Sequence, residues 1–205
     1  LTSYVPHAII LSKKVTAKTI AELIALSKTR PVTLATSGVG SATHMTLERF
    51  KAATGANITH VPYRGGGALM PDLIAGTVDG SMTEFSTALS LHKAGKAHII
   101  AIAAAHRSQL APDIATFIES GVKDFTAQSY IGIVAPAKTP PEVIAALQKA
   151  IVAGLSGGPA PERLRNLGAE IATSEQMTPQ GFAAFIRTDY DNMQAAAKLA
   201  GITPK

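Results

Sequence analysis

Cysteine and tryptophan are both absent from this 205-residue chain. Without thiols there is no disulfide framework and no thiolate zinc site, and the absence fits periplasm and cytosol equally. Aromatic residues make up only 5% of the sequence. No basic run alternates with stacking aromatics, so a platform for single-stranded nucleic acid is not built here. No apolar run approaches the roughly 20 residues that cross a bilayer, so neither a membrane helix nor an uncleaved signal segment is visible. An initiating methionine is also missing, and the chain enters almost directly on the apolar run HAIIL at residues 7–11. That abrupt entry reads as upstream material left out.

What is present is a globular composition with 46% hydrophobic residues, enough for one large domain or two small ones. The net charge of +5 and pI near 9.5 suit an acidic partner. Lysine and arginine are scattered rather than gathered in a block, so the expected partner is not nucleic acid.

The organising stretch runs over residues 32–66. A β-branched run at residues 32–36 passes through Ser37, Gly38, Val39, Gly40 and Ser41 into a segment with helical spacing, which predicts strand, glycine loop and helix. The first amides of a helix have no intrahelical partner, and the helix dipole places partial positive charge there, so such a loop can seat an anion. Ser37 and Ser41 either donate to a carboxylate or phosphate or serve only as N-caps. His44 falls in the first helical turn, either packed for structural reasons or touching a ligand. The pattern repeats: residues 58–61 read as a strand, followed by Tyr63, Arg64, Gly65, Gly66 and Gly67, then another helix. A weak strand at residues 78–83 delivers Thr83 and Glu84 to the same side. Glu84 would hydrogen-bond a ligand hydroxyl or amine, or merely start the next helix. In an open α/β sheet, ligands collect at the carboxyl ends of the strands, so these turns are expected to face one crevice.

Along the chain, periodicity predicts helices over residues 19–28, 41–54, 68–75, 88–96, 114–120, 140–155, 161–167 and 178–201. Strands are expected at 7–11, which suits a buried parallel strand, and at 32–36, 58–61, 78–83, 97–103, 129–135 and 170–172. Thr139 is placed as the cap of the 140–155 helix. Phe182, Phe185, Ile186, Tyr190 and Met193 form a stripe expected to face a core.

Three chemistries compete. A serine hydrolase needs G-x-S-x-G, and Ser37 lacks the glycine two positions earlier. A dinucleotide enzyme finds Gly38-x-Gly40, but Thr43 stands where the third glycine belongs and no acid follows the next strand. Arg64 pairing with a 2′-phosphate keeps an NADP-dependent oxidoreductase with a variant Gly-x-Gly loop as the alternative. No second histidine joins His44 on its helix, and His60 belongs to the next strand, so no metal and no cofactor are expected.

The runs TIAELIALSK, ATSGVGSATH, THVPYRGGGALMPDLIAGTVD, SYIGIVAPAKTPPEVI and FAAFIRTDY followed by AGI stand in one order across nearly the whole chain. In this the sequence resembles the tripartite tricarboxylate transporter receptors, the Bug or TctC family. The resemblance implies a periplasmic-binding-protein type II (Venus flytrap) α/β fold, with one complete α/β domain over residues 1–104. Residues 105–205 would be the returning C-terminal portion of the other, whose opening segment is missing. It also implies a non-catalytic periplasmic solute-binding receptor that closes over a small carboxylate and delivers it to a membrane permease. Ser37, Gly38, Gly40, Ser41 and His44 match the family's first turn; Tyr63, Arg64 and Gly65 match its second; Tyr130 and Gly132 match the strand returning across the cleft. Val39 stands where the family often has Asn, and Thr83 with Glu84 stand near where it often has Asp-Thr.

Overall fold

Apolar residues that alternate, and apolar residues that recur every three or four positions, follow one another along this chain, and its elements do the same. The computed structural model describes residues 1–199 and 201–202. Ala200, within the AGI match, lies outside them. The order is β1 (Ser3–Ser12), α1 (Ile20–Thr29), β2 (Val32–Thr36), α2 (Ala42–Thr54), β3 (Ile58–Pro62), α3 (Met70–Ala75), β4 (Gly80–Glu84), α4 (Phe85–Lys93), β5 (Ala97–Ile102), β6 (Gln128–Ile131), α5 (Pro141–Ser156), α6 (Ala160–Asn166), β7 (Glu170–Ile171) and α7 (Pro179–Leu199). Two compact units result: Pro6–Ser129 with Met193–Lys205, and Leu1–Val5 with Tyr130–Asn192.

The larger unit is built on strands in the order β3-β2-β4-β1-β5. Successive side chains of β1 point to opposite faces. Ile9 and Leu11 join one buried cluster with Leu23, Leu34, Leu47 and Phe50. Ala8 and Ile10 join the other with Leu73, Phe85 and Ile102. β2 runs parallel to β3 and to β4, whereas β1 runs antiparallel to β4 and β5. The expectation of a parallel first strand is therefore corrected. A strand buried on both faces reads as a continuous apolar run whatever its direction, so the run carried no information on direction.

The helix expected over residues 114–120 is a series of turns instead. The Ile102 amide donates to the Ala115 carbonyl at 3.1 Å and the Phe117 amide to the Ile102 carbonyl at 3.0 Å, so this backbone pairs with the end of β5. Phe117 then stacks on Phe125 at 4.9 Å and meets Phe50 edge-on at 5.6 Å. Aromatic packing of this kind ties Phe117 and Phe125 to Phe50 of α2, and the compact unit runs to Ser129.

In the smaller unit, β7 pairs with Ser3 and Tyr4 of β1. Phe182 packs with Leu1, Tyr4 and Ala172. Tyr130 meets Phe185 edge-on at 4.9 Å. The stripe along α7 faces this core only at its start: Ile186 and Tyr190 are 38% and 60% exposed. α5 begins after Pro140 without a side-chain cap, so Thr139 does not play that part; its amide closes a turn onto the Pro136 carbonyl instead.

Gly80 shows how closely β4 is packed. A methyl carbon there would stand 2.5 Å from Leu11 Cδ2 and 2.7 Å from the Ile10 carbonyl oxygen. Because a backbone oxygen cannot swing aside, Gly80→Ala is expected to cost about 1–3 kcal/mol of unfolding free energy by urea denaturation.

Candidate functional site

Since β2, β3 and β4 run in one direction, their carboxyl ends share an edge of the sheet. Both glycine turns leave from that edge, and α4 begins there directly after β4. The two turns are bonded to each other. The Tyr63 amide donates to the Thr36 carbonyl at 3.0 Å and the Gly65 amide to the Ser37 carbonyl at 3.2 Å. Gly38 has φ +125°, and a methyl carbon on it would stand 3.0 Å from the Tyr63 carbonyl oxygen. Only glycine fits there, which is why the first turn can lie against the second.

Within the first turn, the open choices for serine and histidine take definite form. Ser41 is the N-cap of α2: its hydroxyl accepts from the His44 amide at 3.2 Å and donates to the Gly38 carbonyl at 2.8 Å. The Gly40 amide donates to His44 Nδ1 at 3.1 Å. The amides of Ser37 and Ser41 are engaged as well, by Thr43 Oγ1 and the Gly38 carbonyl. So the amides of residues 38–41 do not all stay open for a ligand. Among the described residues, Val39, Ala42 and Thr43 keep amides without a protein acceptor, as do Arg64, Gly66 and Gly67 in the second turn. Ser37 Oγ has no partner there either, Val39 is 69% exposed, and Arg64 is exposed and, among the described residues, forms no salt bridge. Tyr63 directs its hydroxyl to Asp72 Oδ2 at 2.5 Å, a bond that, with burial, pushes its pKa up to about 12.

Behind the first turn, His44 stacks on His60 with ring centroids 4.0 Å apart. His60 Nε2 lies 2.7 Å from Thr36 Oγ1, which itself accepts from the Gly38 amide at 3.3 Å. Burial pushes both imidazoles toward the neutral form, His60 down to about 4, against the attraction of Glu48. A neutral His44 keeps Nδ1 free to accept from Gly40, so this pair shapes the loop from behind.

Glu84 closes the third side. It is half-buried at the start of α4 and accepts from Thr83 Oγ1 and from Ser129 Oγ, each at 3.3 Å. An ionised carboxylate only accepts, so the Ser129 hydroxyl donates to it and takes a proton bond from His7 Nε2 at 2.9 Å; His7 Nδ1 then accepts from Thr46 at 2.8 Å. His7 is fully buried and stands directly opposite Glu84 in the β1–β4 register.

Thus eleven sequence-predicted residues, Ser37 through Ser41, His44, Tyr63, Arg64, Gly65, Thr83 and Glu84, gather in the larger unit. Tyr130 belongs to the smaller one. His7, Thr36, Thr43, His60 and Ser129 were not anticipated. Each acts through a partner 6–122 residues away in sequence, and no local pattern announces such pairs. Thr43, at the place of a third dinucleotide-loop glycine, is buried beneath Ser37 and Ser41.

The chain is 29% identical over 203 residues to an Agrobacterium vitis protein from the TAR-I ttuE-ttuC' intergenic region, spanning 98% of this chain and 59% of that protein. It is 32% identical over 184 residues to the protein BugT of Bordetella pertussis, spanning 88% of this chain and 56% of that one. The chain therefore spans less than two thirds of these relatives. Among solved structures, an R. palustris protein with adipate superposes at TM-score 0.92 with 29% identity, covering all of this chain and 68% of that one. The periplasmic binding protein BugD superposes at 0.90 with 30% identity, covering 100% and 69%. The fold is that of the periplasmic solute-binding proteins, as the resemblance implied. Over residues 2–200 it matches the model of the tripartite tricarboxylate transporter family receptor, TctC, and to that family the chain belongs.

Proposed function

We propose that this chain is the carboxylate-holding part of a periplasmic receptor, which takes up a small carboxylate without covalent chemistry and delivers it to the membrane permease of a tripartite transporter. The observation that carries the reading is the pair of mutually bonded turns at one sheet edge, with open amides on both and the exposed Arg64 in the second. Amides and a helix N-terminus favour a carboxylate through charge-assisted hydrogen bonds, and nothing in that arrangement requires a bond to be broken. The neighbour solved with adipate supports a dicarboxylate or a close relative as guest.

Calorimetric titration with mono- and dicarboxylates tests this, and Gly66→Ala sharpens it. A methyl on Gly66 would stand 3.7–3.9 Å from Glu84 Oε2, Ser37 Oγ and Thr83 Oγ1, ordinary contacts that leave the fold undisturbed while filling the space between those groups. Saturable binding by the natural chain, weakened at least about tenfold in Gly66→Ala at unchanged melting temperature, is the expected result. Binding that requires NADP, or hydride transfer to a nicotinamide, would replace this reading with the oxidoreductase.

A further inference from the structure

Glu84 is out of place in a seat for anions. Its carboxylate faces Gly66, whose amide is open, yet among the described residues no lysine, arginine or charged histidine pairs with it. Both donors it has are neutral hydroxyls, from Thr83 and Ser129. Behind Ser129 stands His7, which burial pushes toward its neutral form, so the imidazole itself brings no charge to that side.

The space in front of Glu84 is defined by Gly66. The point a Gly66 methyl would occupy is 3.7 Å from Glu84 Oε2, 3.8 Å from Ser37 Oγ and 3.9 Å from Thr83 Oγ1. Three oxygens therefore surround one opening beside the Gly66 amide. Thr83 Oγ1 directs its proton to Glu84, which leaves that hydroxyl an acceptor toward the opening. Glu84 Oε2 has further lone-pair capacity, and Ser37 Oγ can accept as well as donate. Acceptors thus dominate this corner, whereas donors dominate the rest of the site. A plain alkyl carboxylate bound at the amides would leave Glu84 desolvated without a new donor, and would set two negative charges near each other.

We propose that Glu84, with Ser37 and Thr83, makes this site select carboxylates that carry a hydrogen-bond donor, an ammonium or a hydroxyl, close to the carboxylate group. This rests on the carboxylate-receptor reading and narrows it. The substituent occupies the opening beside Gly66 and donates to Glu84 Oε2, while the carboxylate takes the amides of the two turns. Adipate, the ligand of the solved neighbour, has no such donor, so the two proteins are set apart in specificity.

The test is calorimetric or NMR titration of the protein with matched trios of three- to six-carbon acids that differ only in one hydrogen, hydroxyl or ammonium, such as succinate, malate and aspartate. The expected result is a preference of at least about tenfold for a donor-bearing member over its unsubstituted parent. In Glu84→Gln that preference falls below about threefold, and the unsubstituted acid binds more tightly because the opposing charge is gone. A drop confined to the amino acid identifies ammonium as the donor; an equal drop for the hydroxy acid identifies the hydroxyl. If the unsubstituted acids bind the natural protein as tightly as the substituted ones, this inference is overturned while the receptor reading stands. If acids of neither kind bind, both fall. The preference of the unaltered protein decides the matter even if Glu84→Gln does not fold.

Discussion

A Gly38→Ala chain is expected to bind carboxylates about 100-fold more weakly than the natural one. The first cause is conformational: φ at this residue is +125°, where an L side chain is strained by about 1–3 kcal/mol. The second is a collision, because the new methyl would stand 3.0 Å from the Tyr63 carbonyl oxygen, which belongs to the neighbouring turn. Relief requires the two turns to separate. They are tied by the bonds from Tyr63 to Thr36 and from Gly65 to Ser37, so separation displaces the amides of both. Losing one or two hydrogen bonds to a charged ligand, at about 1.5–3 kcal/mol each, gives the factor stated. Gly40→Ala is the control: φ there is +80° but nothing lies within 4 Å of the added methyl, so strain is present without collision. Titration of both variants against one carboxylate separates the causes. Equal losses would show that the contact with Tyr63 does not matter.

Acid is expected to destabilise the larger unit as the pH falls from about 6.5 toward 4. Burial pushes the His7 imidazole from 6.5 down to about 4, outweighing the pull of Glu84 toward the charged form. Above pH 6.5 neither folded nor unfolded His7 is protonated, and the full stability is present. As the pH falls from 6.5 toward 4, the unfolded chain takes up a proton that the folded chain refuses, so stability declines through that window and levels off below it. For this fully buried residue the decline is worth about 3 kcal/mol. His60 and His44 shift in the same direction and deepen the same slope. Urea denaturation at pH 7, 6, 5 and 4 measures it. In His7→Gln the starting stability is lower, through lost bonds to Thr46 and Ser129, but the slope is shallower because one titrating group is gone. Identical slopes would remove His7 as the cause.

Much of the site could be read in advance because its parts are local. Gly38, Gly40 and Ser41 lie within a few residues of the helix they introduce, and Gly55 ends that helix at φ +67°. That Ser41 caps this helix, a role open in one dimension, is shown by its bonds to the Gly38 carbonyl and the His44 amide. The helix expected over residues 114–120 failed for the opposite reason. Its apolar spacing was adequate, but the end of β5 offered the backbone other partners, and local propensity yields to such long-range pairing.

Taken alone, the sequence determined the alternation of strands and helices, the two glycine turns, and the family to which they belong, since periodicity, caps and short motifs act between near neighbours. Tertiary structure alone decided the antiparallel direction of β1, the stacking of His44 on His60, and the line of hydrogen bonds from Thr46 through His7 and Ser129 to Glu84. These depend on strand order and register, which arise only when distant segments pack together and their side chains compete for the same buried donors and acceptors.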